Sequence, residues 1–197
     1  KEESPLGYSL LKETRSEAMK RDKRGPAVDL ISLVRIPSAP ITRPAQVVYL
    51  KARLQHAALD GFALDGGRQR WSGGVLEIRS ESGISGYPLP YGGTDHAKEL
   101  LPTALIQSDD QAIKAQAARV LGSTKDAHEA ARMLNSWVYD AVAKQPVVSI
   151  PSAVEVLKQL TGDCNEHTTL YTALARAAGI PARMAAGIVY LKDGFYY

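Results

Sequence analysis

Apolar and polar residues alternate with a period of two through the stretch VVYLKARLQHA. Val48, Leu50, Ala52 and Leu54 form one row, and Tyr49, Lys51, Arg53 and Gln55 form the other. Successive side chains of a strand point to opposite faces, so this spacing predicts one row turned inward and one turned to water. VDLISLVRI, residues 28–36, is β-branched and stops at Pro37; VLEIRS, residues 75–80, is a further short strand. LDGG and SGG between such runs are turn material. Short strands punctuated by glycine predict an antiparallel, sandwich-like β domain over residues 28–100. A polar segment, residues 1–27, precedes it. GISGYPLPYGGT, residues 83–94, reads as a loop near a domain boundary.

Beyond that loop the period changes to that of a helix. Ser108-Asp109-Asp110-Gln111 has the spacing of a capping box, in which a serine oxygen and a glutamine side chain satisfy free amides reciprocally. The helix it opens is expected to stop at Gly122. Ser123 is a candidate cap for the next helix, where Ala127, Ala130, Ala131, Leu134, Trp137, Val138 and Ala141 recur on one apolar face. Trp137 is read as core. Ser152-Ala153-Val154-Glu155 is a second box, opening a short helix that ends near Gly162. Asp163 and Glu166 form an aspartate version of the same device. They predict a helix from Cys164 to Ala178, with Gly179 as the stop and Pro181 beyond. ARMAAGIVYL then reads as a strand, Lys192-Asp193-Gly194 as a tight turn and residues 195–197 as a returning strand. Nothing repeats at a fixed period.

Composition narrows the possible functions. In 197 residues, 45% of them hydrophobic, there is enough apolar material for a real core. A net charge of +3, with no basic run interleaved with stacking aromatics, argues against nucleic acid as a partner. KRDKR, residues 20–24, reads as a solvated face or linker, with contact to an acidic surface or lipid headgroups as the alternative. No apolar run reaches the roughly 18 residues that a membrane span needs. Lys1-Glu2-Glu3 has no apolar segment behind it, so it reads neither as a signal peptide nor as a natural N-terminus. His56, His96 and His128 lack metal-ligand spacing. No metal or cofactor is expected, and nothing bears on oligomeric state.

Cys164 is the single cysteine, so no internal disulfide or Cys-rich zinc site can form. Two readings stand. One is a small, buried, inert side chain. The other is a nucleophile sharpened by its place, because a first helical residue sits in the partial positive charge of the peptide dipoles. Such thiols can have pKa values lowered from about 8.5. The Cys164 N–H, unpaired within the helix, could also donate to an oxyanion on a carbonyl under attack. Cys164, His167, Tyr171, Leu174 and Ala178 share one face, expected to be mostly packing surface with the cysteine at its outer end. Glu166 is read as a cap and dipole partner. His167 is read as a partly buried histidine bonded to backbone, with service as a base the competing reading.

The stretch GDCNEHTTLYTALARAAGIPARMAAGIVYL resembles the transglutaminase-like superfamily, which has a papain-like core. SDDQAIKAQAARVLG, WVYDAV and SAVEVLKQLTGDC precede it in the family's order. The resemblance covers residues 101–197 and makes the expected fold α+β: an antiparallel β domain, then the first part of this core with helices on antiparallel strands. It implies Cys164 as nucleophile, with Asp163, Glu166 and His167 in support. It also implies a histidine on a following strand and an aspartate on the next, neither of which is matched in this chain. That gap, and a returning strand left with an unpaired edge, predict a piece of a longer protein.

The implied chemistry is acyl transfer through a thioester on a protein or peptide substrate, as a protease, amidase or crosslinking enzyme. The alternative is a non-catalytic binding module that keeps the fold. A third reading is an extracytoplasmic scaffold in which the β domain does the recognising. A periplasmic or secreted bacterial setting is implied by the resemblance alone.

Overall fold

In the computed structural model of the chain, residues 2–3, 9–10, 14–16, 35–55, 59, 61–83, 85–145, 147, 150–191 and 194–196 are described. Most of the polar segment, the KRDKR run, residues 28–34, His56 and the turn residues Lys192 and Asp193 lie outside them. In order the elements are β1 (Glu2–Glu3), β2 (Ser9–Leu10), β3 (Arg35–Ile36), β4 (Tyr49–Arg53), β5 (Gln69–Ser72), β6 (Val75–Arg79), α1 (Gln111–Leu121), α2 (Ala127–Ala141), β7 (Ala143–Lys144), α3 (Ala153–Gln159), β8 (Thr161–Gly162), α4 (Cys164–Ala177), β9 (Val189–Leu191) and β10 (Gly194–Tyr196). The fold is α+β with antiparallel sheets; the pair β7–β8 is parallel. Contacts group the chain otherwise than as 1–27, 28–100 and 101–197. Lys1–Thr42 with Gly187–Tyr197 make one compact unit and Arg43–Ala186 the other.

In the first unit β10 is the middle strand, paired antiparallel with β9 on one side and β3 on the other. The expected unpaired edge of the returning strand is therefore covered, by Arg35 and Ile36. The Tyr190 ring meets Phe195 edge-on, with centroids 5.0 Å apart, and its hydroxyl accepts from the Ile41 N–H at 2.8 Å. The predicted strand over ARMAAGIVYL is shorter than expected: only Val189–Leu191 pair.

In the second unit, β6 lies between β4 and β5 in a three-stranded antiparallel sheet. Gly73 and Gly74, both at positive φ (55° and 78°), make the two-residue turn between β5 and β6. That is the left-handed geometry a tight hairpin demands. The predicted alternation holds along β4: Leu50 and Ala52 are half-buried, and Tyr49, Lys51 and Arg53 are exposed. Val48, assigned to the inner row, is 69% exposed. Of the described strands within residues 28–100, β4, β5 and β6 form this sheet and β3 pairs with β10.

The dry core is helical. Ile113, Leu134, Val142, Leu170 and Leu174 are fully buried in one cluster contributed by α1, α2 and α4. Burying a side chain such as leucine is worth about 1.5–3 kcal/mol, which makes this cluster the main local source of stability. Helix α4 packs against α1, α2 and α3. Enclosure on several sides explains why Thr169, Thr172, Ala173 and Ala175 are buried along with the leucines. The face expected to pack, through His167 and Tyr171, is only half-buried.

Two helix starts differ from expectation. Helix α1 begins at Gln111, because Asp110 and not Ser108 caps it, accepting from the Ala112 N–H at 2.8 Å. Ser108 is buried instead. Helix α2 is capped by Asp126, which accepts from the Glu129 N–H at 2.8 Å, rather than by Ser123. In both cases an aspartate closer to the apolar face wins, since the packing of that face sets where the helix can begin. Ser152 does cap α3. Far from being a free linker, the Gly/Pro-rich loop is stitched to the helices. Leu89 N–H donates to Lys125 O, Ala127 N–H to Tyr87 O and Tyr91 N–H to Gly179 O, at 2.8–3.0 Å.

Candidate active site

The candidate site is the start of α4, and its shape follows from four consecutive residues and one acid. Gly162 belongs to β8, which pairs in parallel with β7 at the end of α2; Gln145 N–H donates to Gly162 O at 3.1 Å. A Cβ on Gly162 would lie 2.3 Å from Cβ and Cγ of Glu166. Only glycine lets the acid fold back over the strand. Glu166 is 3% exposed, and its Oε2 accepts from the Asp163 N–H at 2.9 Å. The Asp163 carboxylate in turn accepts from the Asn165 N–H at 2.9 Å and from the N–H of Glu166, completing the capping box. This is the arrangement expected from the spacing of Asp163 and Glu166.

The same bonds occupy most of the first-turn amides. The His167 N–H goes to the Asp163 carbonyl. The Cys164 N–H stands outside these bonds, and the backbone amides of Cys164 and Asn165 act to lower the pKa of the thiol. Cys164 is exposed, so the reading of it as an inert core thiol fails and its sulfur is reachable.

The electrostatics depart from expectation. The Cys164 pKa is raised above the ordinary thiol value, not lowered. Partial burial is the largest cause and the Asp163 charge the next. The two amides oppose them, and Glu166 adds to the rise. Burial disfavours the charged thiolate first, and the carboxylates of the cap add to this against the helix dipole. The acids that satisfy the amides put negative charge beside the sulfur, where a thiolate is disfavoured.

His167 is half-buried, and its Nδ1 lies 2.6 Å from the Asp163 carbonyl oxygen. A carbonyl only accepts, so Nδ1 carries the proton and Nε2 is left as the acceptor. Nε2 is buried, without a hydrogen-bond partner among the described residues. The histidine is thus tied to the helix cap. Thr168 Oγ1 donates to the Cys164 carbonyl at 2.7 Å and further secures the first turn.

At its other end α4 closes in a Schellman motif. Gly179 is left-handed (φ 80°); its N–H donates to Arg176 O, and the Ile180 N–H donates to Ala175 O. Arg176 reaches back to the carbonyls of Ala182 (2.8 Å) and Leu101 (2.5 Å). Both ends of the helix are therefore held, which fixes the direction in which Cys164 is presented.

A cavity of about 260 Å³ lies among Tyr87, Tyr91, His96, Glu99, Pro181 and Arg183, and one of about 370 Å³ lies on the sheet; neither is lined by Cys164. Among the described residues, no cluster of three His, Cys, Asp or Glu side chains could hold a metal ion. Among the described residues, no helix is long and apolar enough to cross a membrane. Sequence reasoning quoted Gly162 in its motif without seeing its role. The signal was there, in a glycine four residues before an acid that must fold back.

Residues 114–195 match the model of the transglutaminase-like superfamily. This stretch is similar to that superfamily. A solved structure described as "Putative Cysteine Protease from Cytophaga hutchinsonii" is similar at 21% identity, with a TM-score of 0.45. The similarity spans 54% of this chain and 39% of that one, well under two thirds of its length. No curated protein matches. The transglutaminase-like stretch includes all of α2, α3 and α4, and with them the whole capping arrangement around Cys164.

Proposed function

We propose that this chain carries the nucleophile of a cysteine-dependent acyl-transfer enzyme acting on peptide or side-chain amides. The observation that carries the reading is an exposed thiol on the first residue of a doubly anchored helix, inside the transglutaminase-like stretch. Asp163 and Glu166 build the turn, Gly162 makes room for it, and His167 braces it.

In the proposed reaction the Cys164 sulfur attacks the amide carbonyl carbon and a C–S bond forms. The C–N bond breaks, the nitrogen leaves as an amine with the proton given up by the thiol, and water or a second amine then cleaves the thioester. The Cys164 N–H, outside the capping bonds, would donate to the carbonyl oxygen as it gains charge. A proton acceptor is essential, all the more because this thiol resists ionisation on its own. The family resemblance implies a histidine for that role, and no residue of this chain matches it.

The test is the Cys164→Ala variant in the full-length protein, assayed for peptide hydrolysis and for incorporation of a labelled primary amine. Both should fall to background, and the reaction that the unaltered protein performs separates hydrolase from crosslinker. Undiminished turnover without the sulfur would sink the proposal. A second reading, a non-catalytic binding module of protein or peptide, is favoured by one observation: the carboxylates beside the sulfur raise its pKa. It predicts no turnover in either assay and peptide binding indifferent to Cys164→Ala.

A further inference from the structure

The three-stranded sheet presents a face with an excess of positive charge. Register places Lys51, Glu77 and Arg70 in one row across β4, β6 and β5. Tyr49 and Arg79 form the next row, and the Arg79 N–H donates to Arg68 O at 3.0 Å. Alternation turns Arg53 to the same side, and Arg68, in the turn before β5, lines the same cavity as Arg70 and Arg79. Lys51, Arg53, Arg68, Arg70 and Arg79 are all exposed. Across the paired positions the only acid on this face is Glu77, and Lys51 engages it at 2.7 Å. With Glu81, which lines the same cavity, five cations stand against two acids, a net charge equal to the +3 of the entire chain. The arginines are also gathered: Arg68, Arg70 and Arg79 line a cavity of about 370 Å³ with Glu77 and Glu81.

We propose that this face binds an acidic polypeptide segment in extended conformation. Four of the five cations are arginines, whose planar forks pair bidentately with carboxylates. Rows on one face of a sheet lie about 6.8 Å apart, twice the rise per residue, which is also the spacing of alternate side chains on an extended peptide. A peptide with acids at alternate positions can meet the arginines and pass Glu77 and Glu81. A phosphate backbone carries charge at every unit and would meet both carboxylates. The one aromatic ring of this face, Tyr49, already lies under Arg79 at 4.5 Å and is not free to stack with a base. The inference does not depend on the role of Cys164.

The experiment is fluorescence anisotropy of a labelled alternating Glu-Thr peptide, about ten residues long to span the rows, titrated with the full chain at rising salt. Binding that weakens with salt is expected. Arg70→Ala with Arg79→Ala should weaken it about tenfold or more, since hydrogen bonds to charged groups are the stronger ones. Arg70→Lys with Arg79→Lys keeps the charge, and the loss of the forks should still cost severalfold. Cys164→Ala should change nothing, which separates this site from the proposed catalytic one. Arg68→Ala, outside the paired strands, guards against a double variant that fails to fold and should also weaken binding. Three results would overturn the proposal: no salt-sensitive binding, affinity unchanged in the variants, or single-stranded DNA or phosphatidylglycerol vesicles binding as tightly as the peptide.

Discussion

The helices around α4 and the sheet of β4, β5 and β6 use amphipathic patterns in opposite ways. In α4 both ends are closed, side chains are buried on several faces, and one reactive group is left at the tip. In the sheet one face is half-buried and the other collects exposed arginines. The helix invests its sequence in fixing the place of a single atom. The sheet invests its own in presenting a surface. Precision at one point needs a dry, enclosed support, whereas electrostatic attraction works in water and tolerates looser backing.

The largest expected effect tests that difference in support. Leu174→Ala should cost about 2–5 kcal/mol, the range for leucine in a closed core. Leu50→Ala on the half-buried sheet face should cost clearly less. Urea unfolding of both variants measures the gap, and equal losses would mean that the sheet is as well backed as the helix. Gly162→Ala comes next. The new methyl group must displace Glu166, and overpacking of this kind costs about 1–3 kcal/mol. Amide exchange should show the loss concentrated in the first turn of α4.

A smaller effect concerns the thiol. Iodoacetamide labelling of Cys164 should show a pH midpoint above the usual thiol value of about 8.5. Asp163→Asn removes the largest charge that raises it while keeping a side chain able to cap, so the midpoint should fall. A midpoint that stays put or rises would show that the carboxylate is not what opposes ionisation. The sign also bears on stability. A thiol whose folded pKa is raised adds stability below its unfolded pKa, and that contribution is lost as pH rises through the folded value. The smallest effect is on the sheet. Glu77→Gln breaks an exposed pair, and the melting temperature should be indistinguishable from that of the parent chain.

How legible all this was varies with the physics involved. The alternation of β4 and the apolar face of α2 were readable because each depends on spacing along one element. The capping box at Asp163 was readable because its partners are three residues apart. The caps of α1 and α2 were misassigned to Ser108 and Ser123. Several polar residues compete at each start, and packing against other helices chooses between them. The pKa of Cys164 was misjudged in direction. The dipole was legible in the sequence, but the nearness of two carboxylates and partial burial depend on how the turn folds. The pairing of β10 with Arg35 and Ile36 joins residues about 160 positions apart, and no local pattern announces it.

Local spacing, then, already specified an α+β chain, a capped helix with cysteine first, and a strand with cations on one side. Such features arise from interactions within a few residues, where composition and period suffice. Only the folded molecule decided that the sulfur is exposed yet hard to ionise. Only the strand register gathered Arg70 and Arg79 with Lys51 and Arg53 on a single face. Charge acts through space, and neighbours in space are assigned by packing and pairing rather than by order along the chain.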